Sequence, residues 1–127
     1  MRILSPRAHG YIDYLVVALL LLAPSLFGFG GVAATLSYIL AVVHFGLSVL
    51  TAYPLGAVKA IPFPVHGAIE LAAGIFMVVS PWLFGFAHIA AAQVFFIASG
   101  VAVALVWMVT NYRTLATNVT AGVNTYR

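Results

Sequence analysis

Apolar residues gather in four nearly unbroken stretches, residues 11–29, 32–53, 67–86 and 89–112, with no alternation of polar and apolar positions. Each is close to the roughly 20 residues that a helix needs to cross hydrocarbon. A backbone in lipid must satisfy its own hydrogen bonds, and a continuous apolar pattern predicts helices rather than barrel strands. The links differ in kind. Gly30-Gly31 and Ala87-His88 read as tight turns, whereas the segment 54–65, carrying Pro54, Pro62 and Pro64, reads as a longer connection that cannot stay helical throughout.

The pattern repeats. His9-Gly10-Tyr11-Ile12-Asp13 and Ala23-Pro24-Ser25-Leu26-Phe27-Gly28-Phe29 return as His66-Gly67-Ala68-Ile69-Glu70 and Ser80-Pro81-Trp82-Leu83-Phe84-Gly85-Phe86, at an unchanged spacing of 57. Such repetition predicts two copies of one helical hairpin, residues 1–57 and 58–113, followed by a polar tail, 114–127. With two crossings per copy, the copies are expected in the same orientation, as parallel repeats. At the same spacing, His44 has Val101 as its counterpart and breaks the symmetry.

Composition supports lipid as the solvent. Of 127 residues, 65% are hydrophobic and 6% charged, against roughly 25% charged in soluble domains. Arg2 and Arg7 precede the first stretch, Lys59 lies in the central link, and Arg113 and Arg127 follow the last, so all five cations are expected on one face. The positive-inside rule then places both termini in the cytoplasm, in a multi-pass protein of the cell inner (plasma) membrane. The repetition of the first stretch inside the chain argues against a cleaved signal. Asn118-Val119-Thr120 would face the cytoplasm and not be glycosylated. Nucleic acid is not an expected partner, because no basic cluster with interleaved aromatics occurs. Without cysteine there is no thiolate site and no disulfide.

Ser80-Pro81-Trp82, downstream of His66-Gly67 and leading into Leu83-Phe84-Gly85-Phe86, resembles the motif of the SPW-repeat family of small bacterial membrane proteins. The resemblance covers roughly residues 5–112. It implies a pair of transmembrane helices per repeat with the motif in the first, and a membrane location, without an established reaction. The first copy keeps only Pro24 of the motif. Pro24 and Pro81 are expected to bend their helices near the external end, with Ser80 and Trp82 beside the second bend and Trp82 at the aromatic belt. Gly28 and Gly85 then allow the chain to reverse.

Asp13 and Glu70 are the only acids in the chain, and each follows a histidine by four residues, so His9/Asp13 and His66/Glu70 each share a helix face. Ionisable groups within a span are candidates for function. Four readings are open: a structural pin in which the carboxylates are held by their own histidines, Tyr11, Tyr14 or Arg7; a proton- or ion-coupled carrier; a metal site; or a b-haem site. His44 is expected to bond a neighbouring helix through Ser48, Ser37 or Tyr38, with haem ligation as a further reading, and His88 to be solvated in the external turn. Gly100 with Ala104, Gly74 and Gly46 form small-residue faces that can join the hairpins or join copies.

No nucleophile constellation, phosphate loop or HExxH helix is present, which argues against an enzyme. The expectation is an all-α four-transmembrane-helix bundle of two parallel hairpin repeats, non-catalytic, with no cofactor and no assigned metal. Its partners would be the bilayer and, as a homo-oligomer, itself or a larger membrane complex. The carrier and the haem or metal protein stand as alternatives.

Overall fold

The computed structural model describes residues 2–113. The expected tail, with Asn118 and Arg127, lies outside them. Four helices account for most of the described residues: α1 (Pro6–Phe27), α2 (Gly31–Val49), α3 (Phe63–Leu83) and α4 (Ala90–Val109). Each is long and apolar enough to cross a membrane; at about 1.5 Å per residue they run roughly 28–33 Å. Leu15, Leu22, Val42, Ile75, Val94 and Leu105 are among the large apolar side chains left on the outside, as befits a bundle whose surroundings are lipid.

The first helix of each hairpin begins earlier than its apolar stretch, α1 at Pro6 and α3 at Phe63. Pro6 and Pro64 sit in the first turns of α1 and α3, where a missing N–H costs nothing, and Ser5 caps α1 by accepting from the Ala8 N–H at 3.2 Å. The histidines are therefore inside the helices, and the central link between α2 and α3 spans 50–62 rather than 54–65. Gly28 and Gly85 end the first helix of each hairpin at φ 68° and 73°, a left-handed turn that a side chain would oppose. The Phe29 and Phe86 N–H groups return to the Pro24 and Pro81 carbonyls at 3.1 and 2.8 Å.

Packing is densest within each hairpin, α1 on α2 and α3 on α4. Gly74 and Gly100 face one another so closely that a Cβ built on Gly100 would lie 2.5 Å from the Gly74 carbonyl oxygen. The small face of α4 thus serves its own hairpin. Gly46 has open space beside it, with nothing among the described residues within 4 Å of where a Cβ would lie.

The hairpins meet at the end that carries the cations. Two short parallel backbone pairings tie it: β1 (Thr51–Ala52) with β2 (Ile61–Pro62), and a bridge between Leu4 and Thr110. Ile61 N–H donates to Leu50 O at 2.8 Å and Leu4 N–H to Val109 O at 2.9 Å. The segment entering α3 thereby lies against the exit of α2, and the segment entering α1 against the exit of α4.

These pairings correct the spacing of the repeat. Along α1 and α3 it is 57, and His9/His66, Asp13/Glu70, Leu20/Met77 and Pro24/Pro81 are buried in step. Ala87-His88 adds two residues to the second turn, and along α2 and α4 the buried positions match at 59: Ala33/Ala92, Ser37/Phe96, Thr51/Thr110, Tyr53/Tyr112. The counterpart of His44 is therefore Val103, 5% exposed, not Val101, 46% exposed.

Candidate functional site

The opening two turns or so of α1 and α3 bring His9, Asp13, His66 and Glu70 to one buried centre, where one donor atom from each lies within 4.8 Å of the others. The His9 and His66 Nε2 atoms are 3.3 Å apart. His9 Nε2 is 3.2 Å from Asp13 Oδ1 and 3.2 Å from Glu70 Oε2; His66 Nε2 is 3.3 Å from Asp13 Oδ2 and 3.9 Å from Glu70 Oε2. Each histidine thus reaches the acid of the opposite hairpin as well as its own.

Two threonines orient the rings, and the exchange is crossed. His9 Nδ1 lies 2.8 Å from Thr110 Oγ1, and His66 Nδ1 lies 2.8 Å from Thr51 Oγ1. Each hydroxyl already donates its single hydrogen to a carbonyl four residues back, Val106 O at 2.6 Å and Leu47 O at 2.5 Å. The threonine oxygens are left as acceptors, so both histidines carry the hydrogen on Nδ1. In the neutral rings, both Nε2 lone pairs then point into the centre.

Tyrosines close the site beneath. Tyr53 Oη donates to Asp13 Oδ2 at 2.8 Å, in place of the expected Tyr11, which is exposed, or Tyr14, which donates to Leu55 O at 2.9 Å. Tyr112 packs on Phe63 with ring centroids 4.6 Å apart, its buried Oη without a hydrogen-bond partner. Burial raises the pKa of both phenols above the ordinary range, and the Asp13 carboxylate for Tyr53 and the Glu70 carboxylate for Tyr112 add to the rise. Both therefore stay protonated. Lys59, in the central link, donates to the Tyr53 and Gly56 carbonyls.

His44 belongs to this cluster rather than to a separate site. Its Nε2 lies 3.7 Å from Asp13 Oδ1. Ser48 donates to the His44 carbonyl and Ser37 to Leu20 O, so neither bonds the imidazole as expected. The buried atoms Asp13 Oδ1, Glu70 Oε2 and His44 Nε2 lack an aligned hydrogen-bond partner. Narrow apolar crevices lead to the cluster from both sides: one of about 100 Å³ passes between α1 and α4 to Glu70, and one of about 40 Å³ passes between α2 and α3 to His44.

The motif residues lie at the other end of the bundle. Pro24, Pro81 and Ser80 are buried near the exits of α1 and α3, Ser80 donating to Phe76 O at 2.6 Å, while Trp82 is 59% exposed on the outer surface. His88 is exposed in its turn. Among the described residues no hydrogen bond or ion pair joins Ser80, Trp82 or His88 to the histidine cluster.

The profile of the SPW repeat domain matches residues 7–110. The chain belongs to the SPW repeat family. With four apolar helices, this SPW repeat protein is a multi-pass membrane protein. No curated protein and no solved structure matches it.

Proposed function

We propose that this SPW repeat protein is a non-catalytic accessory component of the cell inner membrane, its two hairpins standing in the same orientation and clasped at the cytoplasmic end by the histidine–carboxylate cluster. The crossed contacts carry the reading: every polar group of the cluster with an aligned partner across the seam is spent on joining one hairpin to the other. Crevices of about 100 and 40 Å³ also fall short of the roughly 300–1,000 Å³ of small-molecule sites.

Arg2, Arg7, Lys59 and Arg113 sit at the ends or links on the clasp side, which supports termini facing the cytoplasm. The uncovered Gly46 backbone on α2 supports lateral association with a second copy or a larger membrane complex, since close helix approach favours small residues.

The absence of cysteine makes the test direct. Single-cysteine variants Lys59→Cys and His88→Cys are treated in intact cells with an impermeant maleimide; only His88→Cys should label. In mixed detergent micelles, Asp13→Asn/Glu70→Gln should unfold at lower denaturant than wild type. Labelling of Lys59→Cys instead overturns the orientation, and unchanged unfolding overturns the clasp.

A further inference from the structure

We infer that the clasp is a binding site for one divalent first-row transition-metal cation of the zinc class, with His9 Nε2, His66 Nε2, the Asp13 carboxylate and Glu70 Oε2 as ligands. The inference rests on the clasp reading and deepens it by naming what the cluster holds.

Three observations converge. The threonines fix both imidazoles with Nδ1 as donor, so the four inward groups present lone pairs to one another. Such a collection is mutually repulsive unless something positive lies among them. Secondly, the buried Asp13 Oδ1 and Glu70 Oε2 have no aligned hydrogen-bond partner although they stand in the centre of the cluster.

The third observation is the spacing. Four donors at 2.0–2.1 Å from zinc form a tetrahedron with edges of about 3.3–3.4 Å. Around the histidines the separations are 3.3 Å between the two Nε2 atoms, 3.2 and 3.9 Å from His9 and His66 Nε2 to Glu70 Oε2, and 3.2 and 3.3 Å to Asp13, which offers each histidine a different oxygen, so that no donor pair of the four need lie farther apart than 4.8 Å. Asp13 turns Oδ1 to one histidine and Oδ2 to the other. Protons shared between imidazolium and carboxylate would instead draw nitrogen and oxygen to about 2.7–2.9 Å. The separations suit a cation better than a proton.

The surroundings suit a resident ion. Two neutral imidazoles and two carboxylates carry a charge of −2, which a divalent cation cancels inside the bilayer. Imidazole and carboxylate donors suit zinc and its neighbours. Metal-bound histidines ordinarily donate their other ring N–H to an oxygen, the part taken by Thr51 and Thr110, and Tyr53 donates to the Asp13 carboxylate. Four protein donors make a closed, structural set rather than one open to substrate.

The test uses the full chain in detergent. Wild type purified without chelator is analysed for metals, then stripped and titrated with Co²⁺ and Zn²⁺. One equivalent per chain, the intense visible bands of tetrahedral Co²⁺ and a raised melting temperature with Zn²⁺ are expected. His66→Asn should lose the bands and His88→Asn should keep them. Thr110→Val, which retains every ligand, should bind about 10- to 100-fold more weakly. Stripped wild type that stays folded and gives neither stoichiometric binding nor the bands overturns the metal, while the clasp reading survives if Asp13→Asn/Glu70→Gln still destabilises. Equal binding by His66→Asn overturns the ligand set.

Discussion

Exchanging Thr110 for valine keeps the shape of a buried side chain and removes one oxygen. That oxygen is the acceptor for His9 Nδ1 at 2.8 Å, 101 residues away in the sequence. His9 is fully buried, so water cannot take over. An orphaned buried donor costs about 1–3 kcal/mol, equivalent to about a 5- to 150-fold shift in the unfolding equilibrium. Interhelical hydrogen bonds in membranes average about 0.6 kcal/mol, because the denatured chain also finds partners. The two magnitudes separate a fixed ring from an ordinary polar contact. Unfolding of the chelator-treated protein by rising dodecyl sulfate in mixed micelles, followed by tryptophan fluorescence and helical circular dichroism, should place Thr110→Val in the higher range, and Thr51→Val with it. A loss at or below about 0.6 kcal/mol in both variants would refute the argument that the threonines fix the imidazoles.

The glycines give a contrasting pair: Gly100→Ala drives a methyl against the Gly74 carbonyl and should cost about 1–3 kcal/mol or more, whereas Gly46→Ala meets nothing and should stay within about 0.5 kcal/mol of wild type, both read in the same unfolding assay. In an alkaline titration followed by phenolate absorbance, Tyr53 and Tyr112 should ionise above the ordinary phenol range of about 10. Because their folded pKa values are raised above about 10, the stability they contribute is complete below that pH and is lost as pH climbs through the folded values. Their late ionisation should therefore accompany unfolding, and ionisation of Tyr53 and Tyr112 near pH 10 with the fold intact would contradict their burial.

The four helices were legible because lipid demands uninterrupted apolar length, and the paired His9/Asp13 and His66/Glu70 were legible because acids are so scarce in this chain. The start of α3 was misplaced where Pro64 was read as part of a non-helical link rather than as a first-turn residue. The larger omission was the rest of the site. Thr51-Ala52-Tyr53 and Thr110-Asn111-Tyr112 are a second repeated motif, but at a spacing of 59, and a comparison held at 57 slides past it. The same two residues, Ala87-His88, set His44 against Val101 instead of Val103 and concealed that this histidine lies beside Asp13. Ring orientation was beyond the sequence altogether, since it depends on which carbonyl each threonine hydroxyl has already engaged.

The crossed threonines carry a consequence for how the chain comes into being. A hairpin holds a histidine near its beginning and a threonine near its finish, yet the threonine reaches only the histidine of the other hairpin, the reciprocity of an isologous dimer. One hairpin by itself is half of a handshake. As the polypeptide leaves the ribosome, His9 Nδ1 must wait for its acceptor until nearly the last described residues, those around Thr110, have been inserted, so completion of α4 is the event that fixes the His9 ring in the first turn of α1.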